Sequence, residues 1–142
     1  MTSNIQTSIK IHASPEKIWA ILTDFSNYPN WNPFVQSIKG EPEKGNKIVV
    51  KLPGMTFKPV VKSFEKNRSF SWLGHFILPG IFDGLHQFEL NANEDGSTTF
   101  YHGEEFNGWL VPVFKGKMLH NTRLGFEAMN QALKEKAELQ FQ

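Results

Sequence analysis

The side chains of this sequence best equipped for chemistry are His86, His102 and Glu104, which stand in two alternating runs on either side of a turn. The runs are Phe82-Asp-Gly-Leu-His-Gln-Phe-Glu-Leu90 and Thr98-Thr-Phe-Tyr-His-Gly-Glu-Glu-Phe106, and the turn is Asn93 to Gly96. Side chains two apart in a strand share a face. Phe82, His86, Phe88 and Leu90 therefore lie together, as do Phe100, His102, Glu104 and Phe106. A turn centred on Glu94 sets Phe88 opposite Phe100 and His86 opposite His102. That pairing gathers two imidazoles and a carboxyl among phenylalanines, and a slip of one residue would break it.

Such a cluster supports several chemistries. Buried polar groups must be paired, so the three side chains can simply satisfy one another. They can also anchor the carbonyl, hydroxyl or carboxylate of a ligand in an apolar pocket. Acid–base catalysis is a third use, because histidine titrates near neutrality and burial lifts a glutamate toward it; the catalytic candidates are then His86, His102 and Glu104. Two histidines and a glutamate are also a ligand set for iron or zinc, but their spacing is unlike the compact helical signatures. No metal and no other cofactor is expected.

Around this cluster, Trp72 alternates with Phe70 and Phe76 on one run and is assigned to the pocket wall over the core. Trp31 reads as a plug for the corner in which it sits. Trp109, in Gly108-Trp-Leu-Val-Pro112, either gates the cavity mouth or staples the start of the last helix. In that helix Asn121, Thr122 and Gly125 interrupt the apolar stripe between Met118 and Met129. They leave room for a ligand, or they let helix and sheet approach closely at Gly125. The candidate ligand-binding set is Trp72, Phe76, His86, Phe88, Phe100, His102, Glu104, Trp109, Met118, Thr122 and Met129.

These residues need elements to hold them. Ile5 to His12 alternates as a first strand. Ser14, Pro15 and Glu16 then supply an N-cap, a first helical residue and an acidic first turn, and Ile18, Trp19 and Leu22 form an apolar face. Asp24 to Pro33 carries two prolines and reads as a short turn of helix before an irregular corner. Turn signals from Gly40 to Gly96 divide the next stretch into strands at about 34–40, 46–52, 56–65, 69–77, 82–91 and 97–107, an antiparallel meander. Val113 to Leu139 has no proline, and Phe114, Met118, Gly125, Met129, Ala132 and Leu133 share one helical face opposite His120, Arg123, Glu127, Lys134 and Glu138. A helix of about 40 Å results. The short first helix cannot cover it, so its apolar face must lie along the sheet.

The 142 residues fit one domain, 1–142. Thirteen phenylalanines and four tryptophans demand a large core or a lined cavity. A net charge of +1 with both signs spread along the chain excludes a polyanion footprint, so nucleic acid is not an expected partner. Without cysteine there are no disulfides, thiolate nucleophiles or Cys-based metal sites, which agrees with a reducing cytoplasm. Met1 to Thr7 shows no leader pattern, and no apolar run is long enough to span a membrane, so a soluble cytoplasmic protein is expected. Gly-x-Ser-x-Gly, phosphate-loop and dinucleotide motifs do not occur.

The order of elements, with Ala13-Ser-Pro-Glu-Lys-Ile-Trp19, Tyr28-Pro-Asn-Trp-Asn-Pro33 and the run from His86 to Gly108, resembles the START-like (SRPBCC) superfamily, and within it the bacterial polyketide cyclase/dehydrase-like members. The resemblance implies an α+β helix-grip fold: a seven-stranded curved antiparallel sheet around a long C-terminal helix, with two short helices after the first strand. It also implies a hydrophobic cavity for lipids, polyketides, sterols or hormones, in which some members catalyse cyclisation, dehydration or hydrolysis. No universal catalytic motif carries over, and fold alone does not settle function.

The leading expectation is a carrier or sensor that binds a small hydrophobic lipid, polyketide or aromatic molecule. Its rival is a cofactor-free cyclase, dehydratase or isomerase using the same cavity. A third is an interaction module that docks a protein, as stress-regulating relatives do with chaperones. The expected partners are the small ligand and at most a weak homodimer.

Overall fold

In a computed structural model, which describes residues 2–76, 78–114 and 116–139, the alternating N-terminal segment forms β1 (Thr2–Ile11). Helix α1 (Pro15–Thr23) starts where its cap signals stand: the Lys17 N–H donates to the Ser14 hydroxyl at 3.3 Å. It buries Ile18, Trp19, Ile21 and Leu22. A 3-10 helix, Phe25–Asn30, follows, held by the buried Tyr28 hydroxyl donating to the Leu22 carbonyl at 2.6 Å.

The meander comprises β2 (Ser37–Lys39), β3 (Val49–Leu52), β4 (Met55–Phe57), β5 (Val60–Glu65), β6 (Ser69–His75), β7 (Asp83–Ala92) and β8 (Thr98–Asn107). One antiparallel sheet runs β1-β8-β7-β6-β5 and a second runs β2-β3-β4. The Lys47↔Val60 bridge and the hydrogen bond from Ile48 N–H to the Pro59 carbonyl, 2.9 Å, extend the β3/β4 register into β5. The two sheets are thereby joined edge to edge. The expected seven strands become eight segments because 56–65 divides into β4 and β5 at Lys58-Pro59. Proline has no N–H to give a ladder.

Helix α2 (Val111–Phe114) is separated from α3 (Lys117–Leu139) by Gly116 at φ +94°, a conformation that ends a helix, so the single helix expected from Val113 is interrupted there. Lys115, the Phe114 side chain and Ile77, all assigned to elements by pattern, lie outside the described residues. Helix α3 lies along β1, where Arg123 Nη1 donates to the Gln6 carbonyl at 3.1 Å and Lys134 Nζ to the Lys10 carbonyl at 3.0 Å. Its buried face is Phe126, Met129, Asn130, Leu133 and Ala137. This is the helix-grip arrangement, α+β, with a long C-terminal helix held against the sheet. No helix among the described residues is long and apolar enough to cross a membrane.

Strands β7 and β8 set His86 opposite Glu104 and Phe88 opposite His102, two residues from the pairing of a turn centred on Glu94. The turn centres on Asp95 instead. Its carboxylate accepts from the Ser97 N–H at 3.0 Å and the Ser97 hydroxyl at 2.6 Å, while Gly96 takes φ +88°. A shift of two leaves every side chain on its face.

Candidate functional site

Between the N-terminal half of α3, the β3–β4 hairpin and the β7–β8 strands lies a cavity of about 250 Å³. Helix α3 contributes Met118 and Thr122, the hairpin Leu52, Met55 and Phe57, and the sheet region Phe76, Phe82 and Phe106. Phe34 closes it from the corner after the 3-10 helix, and His86 and Glu104 are its charge-capable groups. Two glycines shape it. A Cβ at Gly125 would stand 2.3 Å from Phe34 Cδ1, so the bare helix backbone seats that ring. A Cβ at Gly84 would stand 2.2 Å from Glu104 Oε2, so the carboxyl occupies space that only glycine leaves.

A chain of polar groups runs from the cavity into the core. His86 Nε2 and His102 Nε2 are 2.7 Å apart, His102 Nδ1 and Asn130 Oδ1 are 2.8 Å apart, and Asn130 Nδ2 donates to Thr7 Oγ1 at 2.9 Å. The Thr7 hydroxyl donates to the His102 carbonyl at 2.7 Å. These contacts determine the tautomers. Because Thr7 spends its proton on that carbonyl, its oxygen must accept from the Asn130 amide, which turns Oδ1 toward His102. His102 then carries its proton on Nδ1 and accepts at Nε2, so His86 donates from Nε2. His86 Nδ1 is left as an acceptor, 3.7 Å from Glu104 Oε1.

The surroundings keep all three groups uncharged. His102 stacks on Phe126 with ring centroids 4.0 Å apart, and His86 lies 4.6 Å from Phe88 and 4.9 Å from Trp72. Burial among these rings pushes His102 down to about 3, against a smaller opposing effect of the Asn130 hydrogen bond. Burial, and then His102, hold His86 well below the usual imidazole range. The same burial pushes the Glu104 carboxyl up to about 8. A neutral imidazole facing a neutral acid is no ion pair. The cavity's polar corner is therefore a carboxylic acid beside an imidazole lone pair. Among the described residues, no group of three or more His, Asp and Glu side chains is arranged to hold a metal ion.

Of the candidate residues, Phe76, His86, Glu104, Met118 and Thr122 line this cavity. His102 is fully buried one hydrogen bond behind it. Trp72, Phe88, Phe100 and Met129 belong to the packed core, and the buried Trp72 Nε1 finds no hydrogen-bond partner among the described residues. Trp109 is 70% exposed and is not among the cavity's lining residues. Phe34, Leu52, Met55 and Phe57 escaped sequence reasoning. The Pro53-Gly54 turn announced the hairpin of Leu52, Met55 and Phe57, but nothing local said that it, or Phe34 in the corner, meets α3. Asn130 also escaped, although a lone amide between Met129 and Leu133 on an apolar stripe is a signal that could have found it.

Several solved structures share the fold. A START superfamily protein from Mycobacterium smegmatis is 19% identical, with 96% of this chain and 97% of that chain covered and a TM-score of 0.70. The Aha1 dimer from Colwellia psychrerythraea is 22% identical, with 96% of each chain covered and a TM-score of 0.75. A Helicobacter pylori protein described as hypothetical reaches a TM-score of 0.83 at 13% identity, over 95% of this chain and 88% of that one. No curated protein matches in sequence. The profile of one family spans residues 2–138, nearly the whole chain. The chain belongs to the family described as polyketide cyclase / dehydrase and lipid transport.

Proposed function

We propose that this protein binds one small, mainly hydrophobic molecule in the cavity between α3 and the sheet, as a cytoplasmic carrier or sensor. The observation that carries the reading is the cavity itself, about 250 Å³ walled by phenylalanine, methionine and leucine with one polar corner. Apolar burial supplies most of the affinity, at roughly 25 cal/mol per Å² removed from water, and the Glu104–His86 corner orients the guest. Native mass spectrometry of protein purified from its host tests this. A bound small molecule that disappears in a folded Thr122→Trp variant is expected. A protein that carries nothing and takes up no apolar probe overturns the proposal.

The same corner favours a second reading, cofactor-free cyclisation, dehydration or isomerisation of a polyketide-like substrate. A carboxyl lifted to about 8 holds a proton near neutrality and can pass it on, with His86 Nδ1 beside it to receive one. Turnover of a polyketide panel by wild type, His86→Ala and Glu104→Gln decides it, and equal rates in all three remove the pair from any mechanism. Weak self-association completes the proposal. It draws support from a dimer of the same fold, the Colwellia psychrerythraea protein. Sedimentation velocity across a concentration series reads it.

A further inference from the structure

Resting on the container reading, we propose that the cavity selects an uncharged ligand bearing a carbonyl oxygen, which accepts a hydrogen bond from the Glu104 carboxylic acid, and that it rejects carboxylates. The hydrogen-bond chain behind the corner has one consistent direction, from His86 through His102 and Asn130 to Thr7. Each hydrogen bond in that chain points inward, away from the cavity. What reaches the cavity is the His86 Nδ1 lone pair and the carboxyl, separated by 3.7 Å, which is beyond hydrogen-bond distance. A guest oxygen at ordinary bonding distance therefore outcompetes His86 for the acid proton. Among the described residues no lysine or arginine lines the cavity, so a carboxylate would be buried without a counter-ion and would face an acid or its conjugate base. Thr122, the other polar residue of the lining, is likewise uncharged; its hydroxyl spends itself weakly on Met118 Sδ at 3.7 Å. Gly84 keeps the space the carboxyl needs.

The acid must also stay protonated where the protein works. Glu104 holds its proton up to about pH 8. The titratable groups beside it are His86 on β7 and His102 on β8, and burial keeps both neutral. From the elements packed opposite come Met118 and Thr122 of α3 and Leu52, Met55 and Phe57 of the hairpin, all uncharged. Carbonyl recognition should therefore fade on the alkaline side as Glu104 ionises and should be insensitive to mild acid.

Four bicyclic aromatics of nearly one shape test this by calorimetric titration: 2-acetylnaphthalene, 2-ethylnaphthalene, 2-naphthoate and 2-(aminomethyl)naphthalene. At pH 6.5 the ketone should bind about tenfold tighter than the hydrocarbon, the worth of one net hydrogen bond to a buried acid. The carboxylate should bind weaker than either. Glu104→Leu should bring the ketone to the hydrocarbon's affinity and leave the hydrocarbon nearly unchanged. Glu104→Gln, which keeps a donor, should retain the ketone's advantage and lose its decline at pH 9.5. Equal binding of ketone and hydrocarbon, or tightest binding of the carboxylate or the amine, overturns this inference while the container stands. If none of the four binds at millimolar concentration, the container reading itself falls.

Discussion

Replacing Glu104 with glutamine removes a group that is neutral in the folded protein and charged in the unfolded chain at neutral pH. The carboxyl stands at about 8 in the fold against an ordinary 4.5, so the folded state holds a proton that the unfolded state has released. Its contribution is fully present below pH 4.5 and is lost as pH rises toward 8, by about 1.4 kcal/mol per pH unit. His86 and His102 act in the opposite sense. Their folded values lie below the ordinary 6.5, so their contribution is complete above pH 6.5 and is lost as pH falls. Within the cluster, the interval from pH 6.5 to 8 belongs to Glu104 alone. Across it the wild type should lose about 2 kcal/mol relative to Glu104→Gln. Urea denaturation followed by tryptophan fluorescence at several pH values measures both proteins, with equal m-values as the check on two-state behaviour. A stability difference between the two that stays constant from pH 6.5 to 8 would refute the neutral-acid assignment and the site chemistry built on it.

Other perturbations probe the same architecture. Gly84→Ala should cost about 1–3 kcal/mol by overpacking, and less in a Glu104→Ala background, because the new methyl collides with Glu104 Oε2 as well as with Phe76 Cε2, and only the first collision is relieved; a double-mutant cycle by thermal unfolding reads the difference. Nitrogen-15 NMR of the wild type should find the His102 proton on Nδ1 and the His86 proton on Nε2, and the reverse tautomers would break the proposed chain. Asn130→Leu should orphan the His102 Nδ1–H and destabilise the protein by about 1–3 kcal/mol in urea titration. Phe126→Ala should cost about 3–5 kcal/mol, since it removes the ring stacked on His102, and a loss under about 1 kcal/mol would contradict its place in the core.

Strand periodicity and turn chemistry were enough to read the order of elements, the antiparallel meander and the shared face of His86, His102 and Glu104, because alternation is a local property. The Ser14 cap and the proline-rich corner were legible for the same reason. Even the misplaced register of the last hairpin did no harm to that face, since the Asp95-centred turn shifts pairing by two residues and not one. Gly116 broke the last helix where an unbroken polar and apolar pattern concealed the positive φ.

The sequence by itself determined which side chains of the sheet face inward: the phenylalanines of the last hairpin, Trp72, His86, His102 and Glu104. Only the tertiary structure decided which of them are packed and which border empty space. Trp72, Phe88 and Phe100 pack in one core with side chains of α1, the 3-10 helix and α3, Met129 among them, whereas His86 and Glu104 meet the gap left where the β3–β4 hairpin and Phe34 arch over the start of α3. Periodicity encodes direction, but a cavity is a matter of distance between elements far apart in sequence, and that distance is set by how the hairpin, the corner and the helix pack together.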